Sequence, residues 1–128
     1  MRKLFKVSTK AAIFSHDKTK VLVVHMSQVN DYGLPGGHID EDEAIEQAMR
    51  RELAEECGIA DINLRQAGFF MHSNGKLILA FVGQLAHAGK LQSQQGEQEG
   101  IPTWLTRDEF EVIDIEPNYK ALVLENWN

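Results

Sequence analysis

Residues 40–58, DEDEAIEQAMRRELAEECG, constrain the fold of this chain more than any other stretch. Their apolar side chains recur at helical spacing, and Gly58 is the type of residue that ends a helix. Asp40, followed three residues later by Glu43, matches a capping box, so the helix is predicted to begin at Asp40. The recurring apolar positions then form one stripe that faces the core.

Two glutamates fall inside this apolar stripe. At about 100° per residue, Glu52 and Glu56 lie within about 20° of Ile45 on the helical wheel. Burying unpaired carboxylates costs several kcal/mol each, so the two side chains need a positive partner. Arg51 is one candidate, but a single guanidinium cannot neutralise Glu52, Glu55 and Glu56 together. The sequence therefore predicts a cation at this face of the helix.

The charge of the chain is concentrated in the same helix. The formal net charge is -6, and residues 40–56 hold eight acidic and two basic residues, which accounts for the whole imbalance. Carboxylates four residues apart on a helix suit one hard divalent ion, and Mg²⁺ uses few carboxylates while it keeps positions for water and phosphate. Zinc fits less well, because the cluster has no thiolate on the same inward turn and no paired histidines. A magnesium site is the resulting prediction.

Composition excludes several other classes of protein. A chain this acidic lacks the basic surface that a non-specific nucleic-acid binder needs. Its 128 residues, 43% of them hydrophobic, suit one domain over residues 1–128. No apolar run approaches the ~18 residues of a membrane span, and no secretory signal pattern is present. Cys57, the only cysteine, is expected to be a small buried helix residue, and a cytoplasmic location is expected.

The rest of the chain alternates predicted strands and helices. Apolar runs predict strands at 6–14 and 21–26, and Asn74-Gly75 predicts a hairpin between strands at 62–72 and 76–85. The remaining predictions are a loop at 31–37, a mobile loop at 92–100, a short strand at 101–105, a capped helical turn from Thr106 and a C-terminal helix opened by Pro117. The predicted fold class is α/β, with a mixed sheet covered by helices.

The run GHIDEDEAIEQAMRRELAEECGI, residues 37–59, resembles the Nudix box. That pattern is G, five residues, E, seven residues, R-E, an aliphatic residue, any residue, E-E, any residue, G and an aliphatic residue. Every fixed position matches: Gly37, Glu43, Arg51, Glu52, Leu53, Glu55, Glu56, Gly58 and Ile59. Outside the box, the features that resemble the MutT-type branch are Leu34-Pro35-Gly36, Glu99-Gly100-x-Pro102-x-Trp104 and Pro117-Asn118.

The resemblance implies a fold, a reaction and roles for individual residues. It implies a three-layer α/β/α sandwich and the hydrolysis of a nucleoside diphosphate linked to another group, with Mg²⁺ or Mn²⁺ as cofactor. The implied metal ligands are the carbonyl of Gly37 and the carboxylates of Glu52 and Glu56, with Glu55 as a third ligand or a water-bridged partner and Glu99 as a further ligand or an alternative base. Arg51 is expected to orient the glutamates, and Glu43 is expected to support the loop rather than bind metal. Glu52 is the favoured general base, with Glu97 or Glu99 of the downstream loop as alternatives.

Three further residues are candidates for substrate binding, each with a structural alternative. Asn118 resembles the asparagine that reads guanine in MutT-type enzymes, or it is an ordinary residue at a helix start. His38, beside Gly37, either touches phosphate or is a surface histidine. Trp104 either stacks on the base or packs in the core.

The region past the box bears on the substrate. Residues 74–77 read NGKL, and they lack the proline of ADP-ribose hydrolases and the tyrosine of dinucleoside polyphosphate hydrolases. The expected substrate is a nucleoside triphosphate, with oxidised forms such as 8-oxo-dGTP included, cleaved to monophosphate and pyrophosphate. The alternatives are ADP-ribose, a dinucleoside polyphosphate, a nucleotide sugar, or a catalytically silent nucleotide-binding module of the same fold. The expected partner is a small-molecule nucleotide, with no nucleic acid or membrane, and the expected assembly is a monomer or homodimer.

Overall fold

The computed structural model describes residues 4–26, 31–92 and 100–128 of the chain. Within these residues there are seven strands and three helices. The strands are β1 (Val7–Phe14), β2 (Lys20–Met26), β3 (Asp31–Gly33), β4 (Gly36–His38), β5 (Ile62–Met71), β6 (Leu77–Leu85) and β7 (Ile101–Thr106). The helices are α1 (Ile45–Cys57), α2 (Arg107–Val112) and α3 (Pro117–Glu125).

Strand β1 lies at the centre of a mixed sheet. It pairs in parallel with β6 along its whole length, and β6 pairs antiparallel with β5. The first half of β1 pairs antiparallel with β4, where Thr9 lies opposite Gly37. On the other side, β2 pairs antiparallel with both β3 and β7. The predicted mixed sheet is therefore confirmed.

The side chains of β1 alternate between two cores. Ala11 and Ile13 are fully buried on the face that α1 covers, where they share a core with Leu53. Ala12 and Phe14 are fully buried on the opposite face. That second core includes residues of α2 and α3 and the chain beyond them: Phe110, Ile115, Tyr119, Leu122, Val123 and Trp127. The helices on both faces of the sheet confirm the α/β/α sandwich that the resemblance implied.

The local signals in the second half of the chain are also confirmed. The hairpin forms as predicted, because β5 and β6 pair antiparallel and Gly75 adopts a φ of +89° in the turn between them. Thr106 Oγ1 accepts a hydrogen bond from the backbone N–H of Glu109 and so caps α2. Pro117 is the first residue of α3.

Two predictions about the segment before α1 are wrong. Residues 31–37 contain β3 and the start of β4 rather than only a loop. The helix begins at Ile45 rather than at Asp40, because Asp42 has a φ of +63°, a left-handed conformation that interrupts a helix. Glu43 Oε1 accepts a hydrogen bond from the backbone N–H of Asp40 at 2.9 Å, so the predicted pairing forms a turn ahead of the helix.

The end of α1 matches the prediction. Gly58 has a φ of +71°, and its backbone N–H donates to the carbonyl of Ala54 at 3.0 Å. Glycine adopts this left-handed conformation more readily than residues with a Cβ atom, which explains why the helix stops there. Cys57, one residue earlier, is fully buried, and burial raises the pKa of its thiol to about 12. Such a thiol is poorly suited to act as a nucleophile.

The loop predicted at 92–100 lies outside the described residues, apart from its two ends. Within the described parts of the chain, no helix has the length and apolar character needed to cross a membrane.

Candidate active site

Helix α1 directs two glutamates toward the short strand β4. Glu56 Oε1 accepts a hydrogen bond from the backbone N–H of Gly36 at 2.8 Å. The Glu52 side chain is only 13% exposed and lies against Gly37, where a Cβ atom would come within 2.8 Å of the Glu52 carboxyl carbon. Glycine at this position therefore lets the backbone and the carboxylate approach closely. The inward direction predicted for both glutamates is observed.

Arg51 joins this face of α1 to the turn before it. Its Nε and Nη2 atoms donate to the two carboxylate oxygens of Glu43 at 2.7 and 3.1 Å. Nη1 donates to Glu52 Oε1 at 2.9 Å and to Glu55 Oε2 at 3.3 Å. Nη2 also donates to the carbonyl of His38 at 2.9 Å. One guanidinium thus fixes three carboxylates and a backbone carbonyl at once.

These contacts favour the charged forms of Arg51 and Glu43. Hydrogen bonds to Glu43, followed by those to Glu52, raise the pKa of Arg51 above its usual value. In the same way, the Arg51 guanidinium and the backbone N–H of Asp40 lower the pKa of the Glu43 carboxyl. The Glu43 side chain is 9% exposed and that of Arg51 is 26% exposed, so the pair remains partly open to water. Glu43 therefore holds Arg51, a partner that the sequence did not indicate, and it also accepts a hydrogen bond within the turn that it was expected to support.

Burial has a strong effect on the Glu56 carboxyl. It raises the pKa of Glu56 to about 7, and the charges of Glu52 and Glu55 act in the same direction. The hydrogen bond from Gly36 and the ammonium of Lys10 act to lower it. Near neutral pH this carboxyl is therefore close to its titration midpoint unless a cation favours the ionised form.

Strand β1 contributes two residues that the sequence did not single out. Thr9 is fully buried, and its Oγ1 donates to the carbonyl of Gly37 at 3.3 Å. Lys10 Nζ donates to the carbonyls of Leu34 and Gly36 at 3.2 and 3.3 Å. Burial lowers the pKa of Lys10.

The one signal in the sequence that could have found Lys10 is the two-residue period of a strand. In β1 this period places Lys10 on the same face as Ala12 and Phe14, both fully buried. A charged residue at such a position needs a partner. The identity of that partner depends on the pairing of β1 with β4, which the pattern of the strand alone does not give.

The donors gathered at Gly37 suit a hard cation. The carboxylates of Glu52 and Glu56 and the carbonyl of Gly37 are oxygen ligands, the type that Mg²⁺ and Mn²⁺ take. In the described part of the chain, no three side chains of His, Cys, Asp or Glu lie close enough together to hold a metal ion. The hydrogen bond from Arg51 draws the Glu55 carboxylate to the guanidinium instead. Among the described residues, the carboxylates that approach the Gly36-Gly37 segment are those of Glu52 and Glu56.

The structure does not bring Asn118 and Trp104 together. Asn118 lies in the first turn of α3, and its Nδ2 donates to the carbonyl of Met71, at the end of β5, at 3.0 Å and to Glu116 Oε1 at 3.4 Å. Trp104 lies in β7 and packs against the core beneath α1. Because β7 and β5 lie on opposite sides of β1 in the sheet, the two candidates are on different parts of the molecule.

The last candidates lie at the edge of the site or beyond the described residues. His38 follows Gly37 directly; its side chain is exposed, and its Nδ1 lies 3.4 Å from Ser8 Oγ. Glu97 and Glu99 lie outside the described residues.

The chain matches a known family of domains over most of its length. A family model described as "NUDIX domain" matches residues 5–125 of the chain. No curated protein matches the chain by sequence.

Solved structures share the fold at low sequence identity. The NUDIX domain of Shewanella oneidensis NrtR, complexed with ADP ribose, matches with a TM-score of 0.82 and 23% identity, over 97% of this chain and 87% of that one. A MutT structure described for Aliivibrio salmonicida and Vibrio cholerae matches with a TM-score of 0.73 and 20% identity, over 93% of this chain and 96% of that one. A Caenorhabditis elegans Ap4A hydrolase in a binary complex matches with a TM-score of 0.76 and 17% identity, over 92% and 93%.

Proposed function

The chain belongs to the NUDIX domain family, and we propose that it is a divalent-metal-dependent pyrophosphohydrolase that cleaves a nucleoside triphosphate to monophosphate and pyrophosphate. The observation that carries this proposal is the approach of Glu52 and Glu56 to the Gly36-Gly37 segment. Two inward carboxylates and a nearby carbonyl oxygen make a site that a divalent cation completes. Metal binding would explain why α1 carries carboxylates on its inward face, where packing alone would favour apolar side chains.

Each residue of the site has a proposed role. Glu52, Glu56 and the carbonyl of Gly37 would hold Mg²⁺ or Mn²⁺, with Glu55 as a further ligand, directly or through water, and Glu99 as another. Arg51 would keep Glu52 and Glu55 in position through its hydrogen bonds to both. When bound, the cation would supply charge to offset the phosphates and would activate a water molecule.

The proton of the attacking water needs an acceptor on the chain. We assign this role to Glu52, because its carboxylate lies directly against Gly37 and is held in one position by Arg51. Glu97 and Glu99 remain the alternative bases. A carboxylate fixed in this way would accept the proton without first having to reorganise.

The proposal for the substrate rests on Asn118. Its amide nitrogen is directed to the carbonyl of Met71, so the hydrogen bond fixes the direction of the side chain. We propose that the amide oxygen accepts a hydrogen bond from the base of a purine nucleoside triphosphate, with an oxidised guanine as one candidate. His38 beside Gly37 would contact the phosphates. ADP-ribose, dinucleoside polyphosphates and nucleotide sugars are the alternative substrates, and Trp104 is assigned to the core rather than to the base.

The test is a substrate panel assayed for release of phosphate and pyrophosphate. The panel contains standard and oxidised nucleoside triphosphates, ADP-ribose, a dinucleoside polyphosphate and a nucleotide sugar, each with Mg²⁺ and with Mn²⁺. We expect one triphosphate to be preferred and Glu56→Gln to lower its turnover by orders of magnitude, because the variant removes one charged ligand.

Glu46→Gln is the matched control, since Glu46 lies on the same helix but is exposed. It should turn over substrate like the wild type. Unchanged turnover in Glu56→Gln would contradict the role assigned to this carboxylate. A wild type that hydrolyses nothing on the panel would favour the silent nucleotide-binding module instead.

A further inference from the structure

Lys10 is a charged residue in a place where packing alone favours an apolar one. The next four residues of β1 are all fully buried, and the Lys10 side chain is itself largely covered. Removing an ammonium from water is unfavourable unless hydrogen bonds and opposite charges compensate for it. A methionine would fill a similar volume without this cost. Packing alone therefore does not explain a lysine at this position.

Among the described residues, the side chain of Lys10 donates hydrogen bonds to one short segment of the chain. Nζ donates to the carbonyl of Leu34 at 3.2 Å and to the carbonyl of Gly36 at 3.3 Å. Pro35, between them, accepts a hydrogen bond from the backbone N–H of Ala11 at 3.1 Å. Residues 34–36 are thus fixed to β1 by three consecutive carbonyl oxygens.

The same segment meets the glutamates of α1 through its other atoms. The N–H of Gly36 donates to Glu56, and the next residue, Gly37, lies against the Glu52 carboxylate. The peptide of Gly36 is therefore held at its carbonyl by Lys10 and binds Glu56 through its N–H. A shift of this segment would move both the Glu56 partner and the Gly37 carbonyl.

The charges agree with this geometry. The carboxylates of Glu56 and Glu52 lie close enough to Lys10 to favour its charged form, whereas burial and the nearby Lys76 oppose it. The ammonium of Lys10 thus supplies an opposite charge within electrostatic reach of the two acidic groups of the site.

We propose that Lys10 is a positioning residue of the hydrolytic site, whose ammonium fixes residues 34–37 so that Gly36 and Gly37 face Glu56 and Glu52. Lys10 acts through the backbone and does not touch the reacting atoms. Its effect on turnover rests on the proposed function, whereas its effect on the position of the segment does not.

The first measurement compares Lys10→Met and Lys10→Arg with the wild type on the preferred substrate. Methionine keeps most of the volume and removes the donors, whereas arginine keeps the charge and can donate to both carbonyls. We expect Lys10→Met to lower kcat by about tenfold to a hundredfold with little change in KM, because misplaced catalytic groups slow the reaction more than they weaken binding. Lys10→Arg should recover part of kcat. Lys20→Met, at an exposed position on β2, is the matched control and should behave like the wild type.

The second measurement needs no substrate. The amide resonances of Gly36 and Gly37 are followed by NMR in the full chain, first without metal and then with MgCl₂ alone. We expect Lys10→Met to shift the Gly36 amide, speed its hydrogen exchange and reduce the response of Gly37 to Mg²⁺. Lys20→Met should leave both resonances unchanged.

The outcomes separate this inference from the proposed function. If the wild type hydrolyses nothing but the Gly36 amide shifts in Lys10→Met, the proposed function fails and the positioning role stands. A Lys10→Met variant with wild-type kcat and an unmoved Gly36 resonance would overturn the inference and leave the function intact. Equal loss of kcat in the methionine and arginine variants would also count against it. If Lys10→Met does not fold, Lys10→Arg decides: a change in only one of the two readouts, kcat or the Gly36 amide, would overturn the role, and a loss of kcat in step with a displaced Gly36 amide would support it.

Discussion

At Glu56, burial and hydrogen bonding act in opposite directions on one carboxyl group. Burial raises its pKa to about 7, whereas the N–H of Gly36 favours the ionised form. The balance leaves a group whose charge depends on whether a cation is present. This dependence is measurable without any knowledge of the substrate.

The first prediction concerns the stability of the metal-free protein as a function of pH. Because the pKa of Glu56 in the folded protein, about 7, lies above its ordinary value of 4.5, the folded state holds more protons than the unfolded state in this interval. The contribution of Glu56 to stability is therefore complete below about pH 4.5 and is lost as the pH rises through about 7. Urea unfolding in EDTA at several pH values should show this loss in the wild type.

Glu56→Gln provides the comparison, because its side chain does not titrate. The free energy of unfolding of this variant should fall less steeply with pH than that of the wild type. Glu46→Gln, on the exposed side of α1, should keep the wild-type slope. Parallel slopes in the wild type and Glu56→Gln would show that the carboxyl titrates normally.

The second prediction concerns the contact between Gly37 and Glu52. In Gly37→Ala, the added Cβ would lie 2.8 Å from the Glu52 carboxyl carbon, so the carboxylate must move away. We expect this variant to lose most of its turnover and most of its response to Mg²⁺ in thermal melts. Gly89→Ala is the control, because a Cβ there meets nothing within 4 Å. Similar behaviour of the two variants would show that the close approach is unimportant.

At the scale of elements, Arg51 couples α1 to the turn that precedes it. Its guanidinium bonds to Glu43 in that turn, to the carbonyl of His38 at the end of β4, and to Glu52 and Glu55 in the helix. These hydrogen bonds therefore fix the position of the turn relative to the helix. A planar group with five donors is needed for so many simultaneous bonds.

The third prediction follows from that geometry. Arg51→Lys keeps the charge but cannot bond to Glu43 through two atoms and reach His38 and Glu52 as well. We expect the melting temperature to fall by about 3–6 °C and turnover to fall with it. Arg65→Lys is the control, since Arg65 is exposed. An unchanged melting temperature in Arg51→Lys would mean that charge alone is sufficient.

At the scale of the whole molecule, the net charge of -6 belongs to one helix region and the turn before it. Uniformly spread charge would mainly affect solubility, whereas this concentration strains one place in the fold. A divalent cation bound at the proposed site would relieve this repulsion in the folded state only. Binding to the folded state alone raises stability.

The fourth prediction uses this linkage. Mg²⁺ should raise the melting temperature of the wild type more than that of the double variant Glu52→Gln/Glu56→Gln. At about 100 times the dissociation constant, the added stability of the wild type is about 2.7 kcal/mol. Thermal melts with and without Mg²⁺ measure the difference. Equal increases in both proteins would show that the cation binds elsewhere.

The sequence determined what depends on neighbours along the chain. The spacing of a helix places Glu52 and Glu56 on the same inward face, and Asn74-Gly75 defines a hairpin, because each of these features arises within a few residues. The start of α1 was missed because the φ of Asp42 and the turn built on Glu43 compete with the helix. Local patterns do not show which of two local structures prevails.

Only the tertiary structure decided which distant segments meet. Lys10 reaches Gly36 because β1 pairs with β4, 26 residues further along the chain, and Asn118 reaches Met71 across 47 residues. Strand pairing depends on the burial of the whole sheet between two helical layers, so no local pattern specifies it. The sequence by itself placed Glu52 and Glu56 on the inward face of the helix and predicted a metal site there. The fold decided which backbone atoms and which lysine surround them, because those contacts exist only once the layers have assembled.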